Sequence, residues 1–115
     1  MPVETPQTSS TVSGTFQVGG WALDLGAPTG TGVDAVHVYA YPNPGSGTPP
    51  IFLGVAALGG SRPDVGAVYG SQFNNSGYNL LAQGLSPGVY QIVVYARSTI
   101  TGTFNNSRAV VVTVQ

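Results

Sequence analysis

An all-β domain, a sandwich of about seven short antiparallel strands with one short helix near residues 62–69, is the fold class this sequence predicts. Three observations carry it. Runs rich in Val, Tyr, Ile and Phe alternate with Gly, Pro and Asn punctuation, the pattern of strands and turns. The turn signals recur at the spacing of roughly 8–12 residues that sandwiches show. Apolar positions at helical spacing are nearly absent. With 115 residues the chain is the size of one domain, long enough to bury roughly 65% of its unfolded surface. It holds no Cys, so the core has no disulfide to help it.

Along the chain, residues 1–10 contain two Pro and many Ser and Thr and read as a linker, with the domain spanning 11–115. Thr11–Val18 is the first predicted strand, with Val12 and Phe16 on one face. Gly20–Leu25 follows, with Trp21 and Leu23 facing inward. Val33–Tyr41 alternates cleanly, Val36, Val38 and Ala40 against Ala35, His37, Tyr39 and Tyr41, and the Val/Ala face is taken as core. Pro42–Pro50 is a long loop, because Pro removes ladder donors and Gly loosens the chain. Ile51–Leu58, Gly77–Gln83, Val89–Ser98 and Ser107–Val114 complete seven strands. The helix is announced by Ser61-Arg62-Pro63-Asp64: Ser and Asp stand at capping-box spacing, and Pro occupies the first turn. Gly70 stops it, and Val65 and Tyr69, four apart, face the sheets. The turn Leu85-Ser86-Pro87-Gly88 leads to Tyr90, placed for its hydroxyl to fold back onto turn backbone. The predicted core is Phe16, Trp21, Leu23, Val36, Val38, Leu53, Leu80, Leu85, Tyr90, Ile92, Val94 and Val112.

The charge inventory excludes several functions. Only Arg62, Arg97 and Arg108 are cationic, and only Glu4, Asp24, Asp34 and Asp64 are anionic. Nucleic-acid binding needs clustered cations, and a polybasic membrane contact needs the same. No apolar run is long enough to insert in a membrane. The first ten residues have no basic start and no apolar stretch, so a signal peptide is not expected in this segment; Met1 reads as an excision point. With neither Cys nor Lys, thiol and amine nucleophiles are excluded.

From Gly20 onward the residues resemble a known family. Gly20-Trp21-Ala22-Leu23-Asp24, Gly32 through Tyr39, Leu53-Gly54, Gly60-Ser61-Arg62-Pro63-Asp64-Val65, Tyr69, Ser76-Gly77-Tyr78 and Leu85 through Tyr90 stand in the order of the bacterial immunoglobulin-like (Big-type) domains of multidomain surface and secreted proteins. The match spans residues 20–96, about two-thirds of the chain, and Ser-Arg-Pro-Asp-Val is its most specific piece. The resemblance implies an immunoglobulin-like sandwich that is secreted or at the cell surface, is not an enzyme, and spaces neighbouring domains of a parent chain. It departs at the nine-residue loop 42–50, where the family often has a short turn. A long loop at a sandwich end is a place for a binding function.

The site candidates are few. His37 is the single His, mid-strand, and reads as a surface residue. Asp24 and Asp34 flank the Gly-rich stretch 25–32 and read as turn anchors, with weak calcium binding as an alternative. Asp64 suits a helix start, and Arg62 is expected to reach Asp24 or Asp34 and pin the helix. Trp21 and Tyr90 are expected to be structural. No cofactor and no metal is expected. Tyr39, Tyr41 and Tyr95, with His37 beside them, are left as an exposed strip. Cross-strand packing explains such a strip; the alternative is a carbohydrate or protein site, with cell-wall or extracellular glycan as partner. The Val110–Val114 strand, without Lys or Glu, is an edge open to weak pairing between copies, and the expected state is a monomer.

Overall fold

Alternation of β-branched and aromatic residues makes Val33–Pro42 and Gly88–Ser98 the two longest strands, paired antiparallel from Val33↔Ser98 to Pro42↔Tyr90. In the computed structural model, which describes residues 1–115, they are β4 and β8 of nine. The others are β1 (Val3–Thr5), β2 (Ser10–Val12), β3 (Phe16–Trp21), β5 (Ile51–Val55), β6 (Ala57–Gly60), β7 (Gly77–Ala82) and β9 (Asn106–Val114). One helix, α1 (Pro63–Tyr69), and a 3-10 turn (Ser71–Phe73) sit between β6 and β7. Two sheets result, in the orders β1-β3-β7-β6 and β2-β9-β8-β4-β5, packed over one core.

The count rises from seven to nine because two expected strands split and β1 is added, while the expected strand Gly20–Leu25 does not form on its own: Gly20 and Trp21 end β3, and Ala22–Leu25 lie outside any strand. Thr11–Val18 does not run as one strand. It breaks at Ser13-Gly14-Thr15, where the Ser13 hydroxyl donates to the Thr15 carbonyl, and its halves join different sheets. Ile51–Leu58 breaks at Ala56, which is buried and donates to the Val36 carbonyl at 2.8 Å. The chain there leaves β4 for β7. Residues 1–10, expected as a linker, are fastened to both sheets: Val3 lies opposite Gly20, and Ser10 opposite Val112. The β2–β9 pair is parallel, a departure from an all-antiparallel scheme. Because β2 covers Val112–Val114, and Ser9 N–H donates to the Val111 carbonyl, the edges of that sheet are β5 and the three-residue β2 rather than the Val110–Val114 strand.

The core contains 17 buried residues from both sheets, among them the expected Phe16, Val36, Val38, Leu85, Tyr90, Ile92, Val94 and Val112. Leu53 and Leu80 pack against it half-buried. Each fully buried Val or Ile contributes about 1.5–3 kcal/mol. Trp21 and Leu23 are not members. Trp21 stands five residues from Phe16 on one strand, hence on the opposite face, and leans on Tyr69 of α1 at 5.6 Å between ring centroids. Val18, Tyr78 and Ala82 fill the inward positions instead.

The helix forms as predicted but is held differently. Its N-cap is Arg62, with no side-chain cap bond, so Ser61 and Asp64 do not make a capping box. Pro63 opens it, Val65 is buried, and Gly70 ends it at φ 124°. Tyr69 is largely exposed apart from Trp21. The Arg62 guanidinium does not reach Asp24 or Asp34; it donates to both oxygens of Glu4 on β1 and to both of Asp64. The helix is therefore pinned to the first strand. Hydrogen bonds to Asp64, then to Glu4, raise the Arg62 pKa, and the same guanidinium holds the Asp64 carboxyl below its ordinary value.

Candidate functional site: an aromatic groove on the five-stranded sheet

The outward positions of β4 are Ala35, His37, Tyr39 and Tyr41, and the register decides what stands beside them. Tyr95 of β8 lies opposite His37, and Phe52 of β5 lies opposite Tyr39. Phe104 arrives from the connection before β9 and meets His37 at 4.7 Å between centroids. His37 also touches Phe52 at 5.7 Å, and Tyr39 touches Phe52 at 5.1 Å and Tyr95 at 5.7 Å. These separations lie in the range where aromatic pairs attract. All four strip residues expected from the sequence thus come together, half-buried, in one groove of about 390 Å³ lined by His37, Tyr39, Tyr41, Tyr95 and Phe104.

Phe52 and Phe104 are the members that sequence reasoning missed. Phe52 belongs to the face only because a register shift between Val38 and Tyr39 sets it beside Tyr39. Phe104 lies outside any strand, where periodicity carries no information.

Two of the phenols are tied together. The Tyr41 and Tyr95 hydroxyls are 3.1 Å apart, and that hydrogen bond, with burial second, pushes the Tyr95 phenol up to about 12. The rings are not coplanar: Tyr39 and Tyr95 meet at 85°, His37 and Phe52 at 67°, His37 and Phe104 at 47°. The groove therefore has walls. A flat tabletop for stacking an extended sheet of sugars would need parallel rings.

The ionisable groups elsewhere are held in structural contacts. Asp24 accepts from the Ser98 hydroxyl and from Gly26 N–H, contacts that lower its pKa in that order; it anchors the turn, as expected. Asp34 pairs with Arg97. Asp24 and Asp34 thus face different partners, and no three acidic or His groups converge. Tyr90 donates to the Ser86 carbonyl at 2.8 Å, closing the turn predicted from Leu85 onward. The loop 42–50 is exposed from Asn43 onward and folds on itself through Ser46; it does not line the groove. A larger depression, about 560 Å³ on the four-stranded sheet, is lined by glycine backbone, by polar side chains such as Gln17 and Asn79, and by the Arg62–Glu4 pair. Its charged groups already satisfy each other.

A comparison of the sequence with protein-family models and with curated proteins finds no match to this chain.

Proposed function

We propose that this chain is a non-catalytic, immunoglobulin-like module of the bacterial type, acting as a spacer that holds neighbouring domains of an extracellular or cell-surface protein apart. The strand order supports the immunoglobulin reading: β1-β3-β7-β6 follows the A-B-E-D sheet and β9-β8-β4 the G-F-C sheet of such sandwiches. Tyr90, near the start of the sixth of those strands and bonded back to Ser86, suits the tyrosine corner.

The observation that carries the spacer role is the placement of the chain ends. Met1 and Pro2 lie by Arg108 and Tyr78, while Gln115 bonds to Val12 beside the Val114↔Gly88 pair. Arg108 and Val114 stand about 20 Å apart along β9. The ends therefore sit at points about 20 Å apart along β9, in a body whose longest extent is 42 Å, a separation that suits domains strung in line. Two copies joined head to tail should give, by small-angle scattering, a longest dimension about double that of one. A folded-back pair no longer than a single module would overturn the spacer reading.

A second reading is favoured by the gathering of His37, Tyr39, Tyr41 and Tyr95 into one groove: a carbohydrate- or protein-binding module working through the aromatic face. Binding to a glycan array or to purified peptidoglycan that is saturable, and lost in Tyr39→Ala or Tyr41→Ala, would establish it. Silence on both surfaces would leave the spacer alone.

A further inference from the structure

We propose that the aromatic groove takes a quaternary ammonium group, an inference that rests on the binding reading and narrows it to one ligand chemistry. The walls are three phenols, a phenyl and an imidazole, and aromatic faces attract a cation through the ring quadrupole. Their steep mutual angles, 85° between Tyr39 and Tyr95 and 47° between His37 and Phe104, mean that the rings bordering the groove do not share one plane, so a rounded guest meets more than one of them.

Hydrogen-bonding capacity separates this guest from a sugar. No carboxylate, amide or guanidinium lines the groove, and the Tyr41 and Tyr95 hydroxyls already bond to each other. A polyhydroxylated ligand entering here would find only the Tyr39 hydroxyl, the His37 imidazole and the tied Tyr41–Tyr95 pair, fewer partners than the water it gives up, which is costly. A trimethylammonium group carries no N–H and needs none. Its charge meets no unpaired cation: Arg97, two residues from Tyr95, is paired with Asp34, and Arg108 belongs to the inward alternation of β9 with Val110 and Val112. The groove volume of about 390 Å³ falls in the range of small-ligand sites.

The test is titration of the intact chain with choline, with its neutral carbon isostere 3,3-dimethylbutanol, and with a soluble neutral oligosaccharide, followed by shifts of the Tyr ring protons. Choline should saturate in the millimolar range, at least about threefold tighter than the isostere. Tyr39→Leu and Tyr95→Leu should abolish the difference, while Tyr41→Phe, which keeps the ring face, should retain it. Phe104→Leu lies outside the strand ladders and serves if a Tyr variant does not fold. Equal affinity for choline and isostere overturns the proposal. Saturation by the oligosaccharide but not by choline overturns it and leaves the binding reading standing. If no probe saturates, the proposal is overturned, and the binding reading is left to the glycan-array and peptidoglycan experiment.

Discussion

Where β6 pairs with β7, the four-stranded sheet turns glycine outward, whereas the five-stranded sheet turns aromatic rings outward. On the first, Gly77 and Gly60 approach so closely that a Cβ on Gly77 would sit 2.9 Å from the Gly60 carbonyl oxygen. Backbone lies against backbone, and the remaining trough is bordered by Arg62 and Glu4. On the second, His37, Tyr39, Tyr95 and Phe52 lean on one another across three strands. One face is fixed by what its residues lack and the other by what they carry. The first tolerates no added volume, while the second can lose a group and keep its strands paired.

The largest expected effect is on the glycine side. Gly77→Val should destabilise by about 3 kcal/mol, because its contacts are backbone atoms of β6 that cannot rotate away; the urea midpoint reads this directly. An unchanged midpoint would mean the two faces do not differ in tolerance. Next comes Arg62→Ala, expected to cost about 1 kcal/mol in the same assay, since the pair is partly exposed yet forked onto two carboxylates. Arg62→Lys should recover little, lacking the fork.

Smaller still is the aromatic side. Tyr41→Phe should cost about 0.5 kcal/mol and let the Tyr95 phenol titrate lower than about 12, visible in an ultraviolet pH titration. The sign follows from the raised phenol: the stabilisation is present below the unfolded-state value of 10 and lost as pH climbs toward 12. Acid does the reverse. Asp24 and Asp64 are held below 3.8 in the folded chain, so their contribution is full above that pH and fades as pH falls through the depressed values. The melting temperature of Asp24→Asn should therefore fall less steeply below that point than that of the parent chain.

Much of this was legible in the sequence. Period-two alternation identified the inward Val36, Val38 and Ala40 and the outward His37, Tyr39 and Tyr41, because β4 runs unbroken across the sheet. Turn chemistry located Tyr90 and Asp24 for the same local reason. What failed was whatever depended on a break or on distance in the chain. Ser13–Thr15 and Ala56 carry no proline to announce that the chain changes sheets there, and treating those runs as single strands fused separate elements. Trp21, expected inward on a strand of its own, shares β3 with Phe16, and the odd spacing between them turns it outward. The Arg62 partner was sought at the loop carboxylates Asp24 and Asp34, whereas its partners are Asp64, two residues on, and Glu4, brought in by β1, a strand too short and too polar to stand out.

The parallel pairing of β2 with β9 has a mechanical consequence. Tension applied through the two chain ends draws Ser10–Val12 and Val112–Val114 in opposite directions along their shared axis. The bonds joining them, flanked by Ser9 N–H to the Val111 carbonyl and Gln115 N–H to the Val12 carbonyl, are then sheared together rather than peeled one at a time. Such a clamp yields at a higher force than an antiparallel pair opened from its end, so a module anchored on both sides would stay folded under drag.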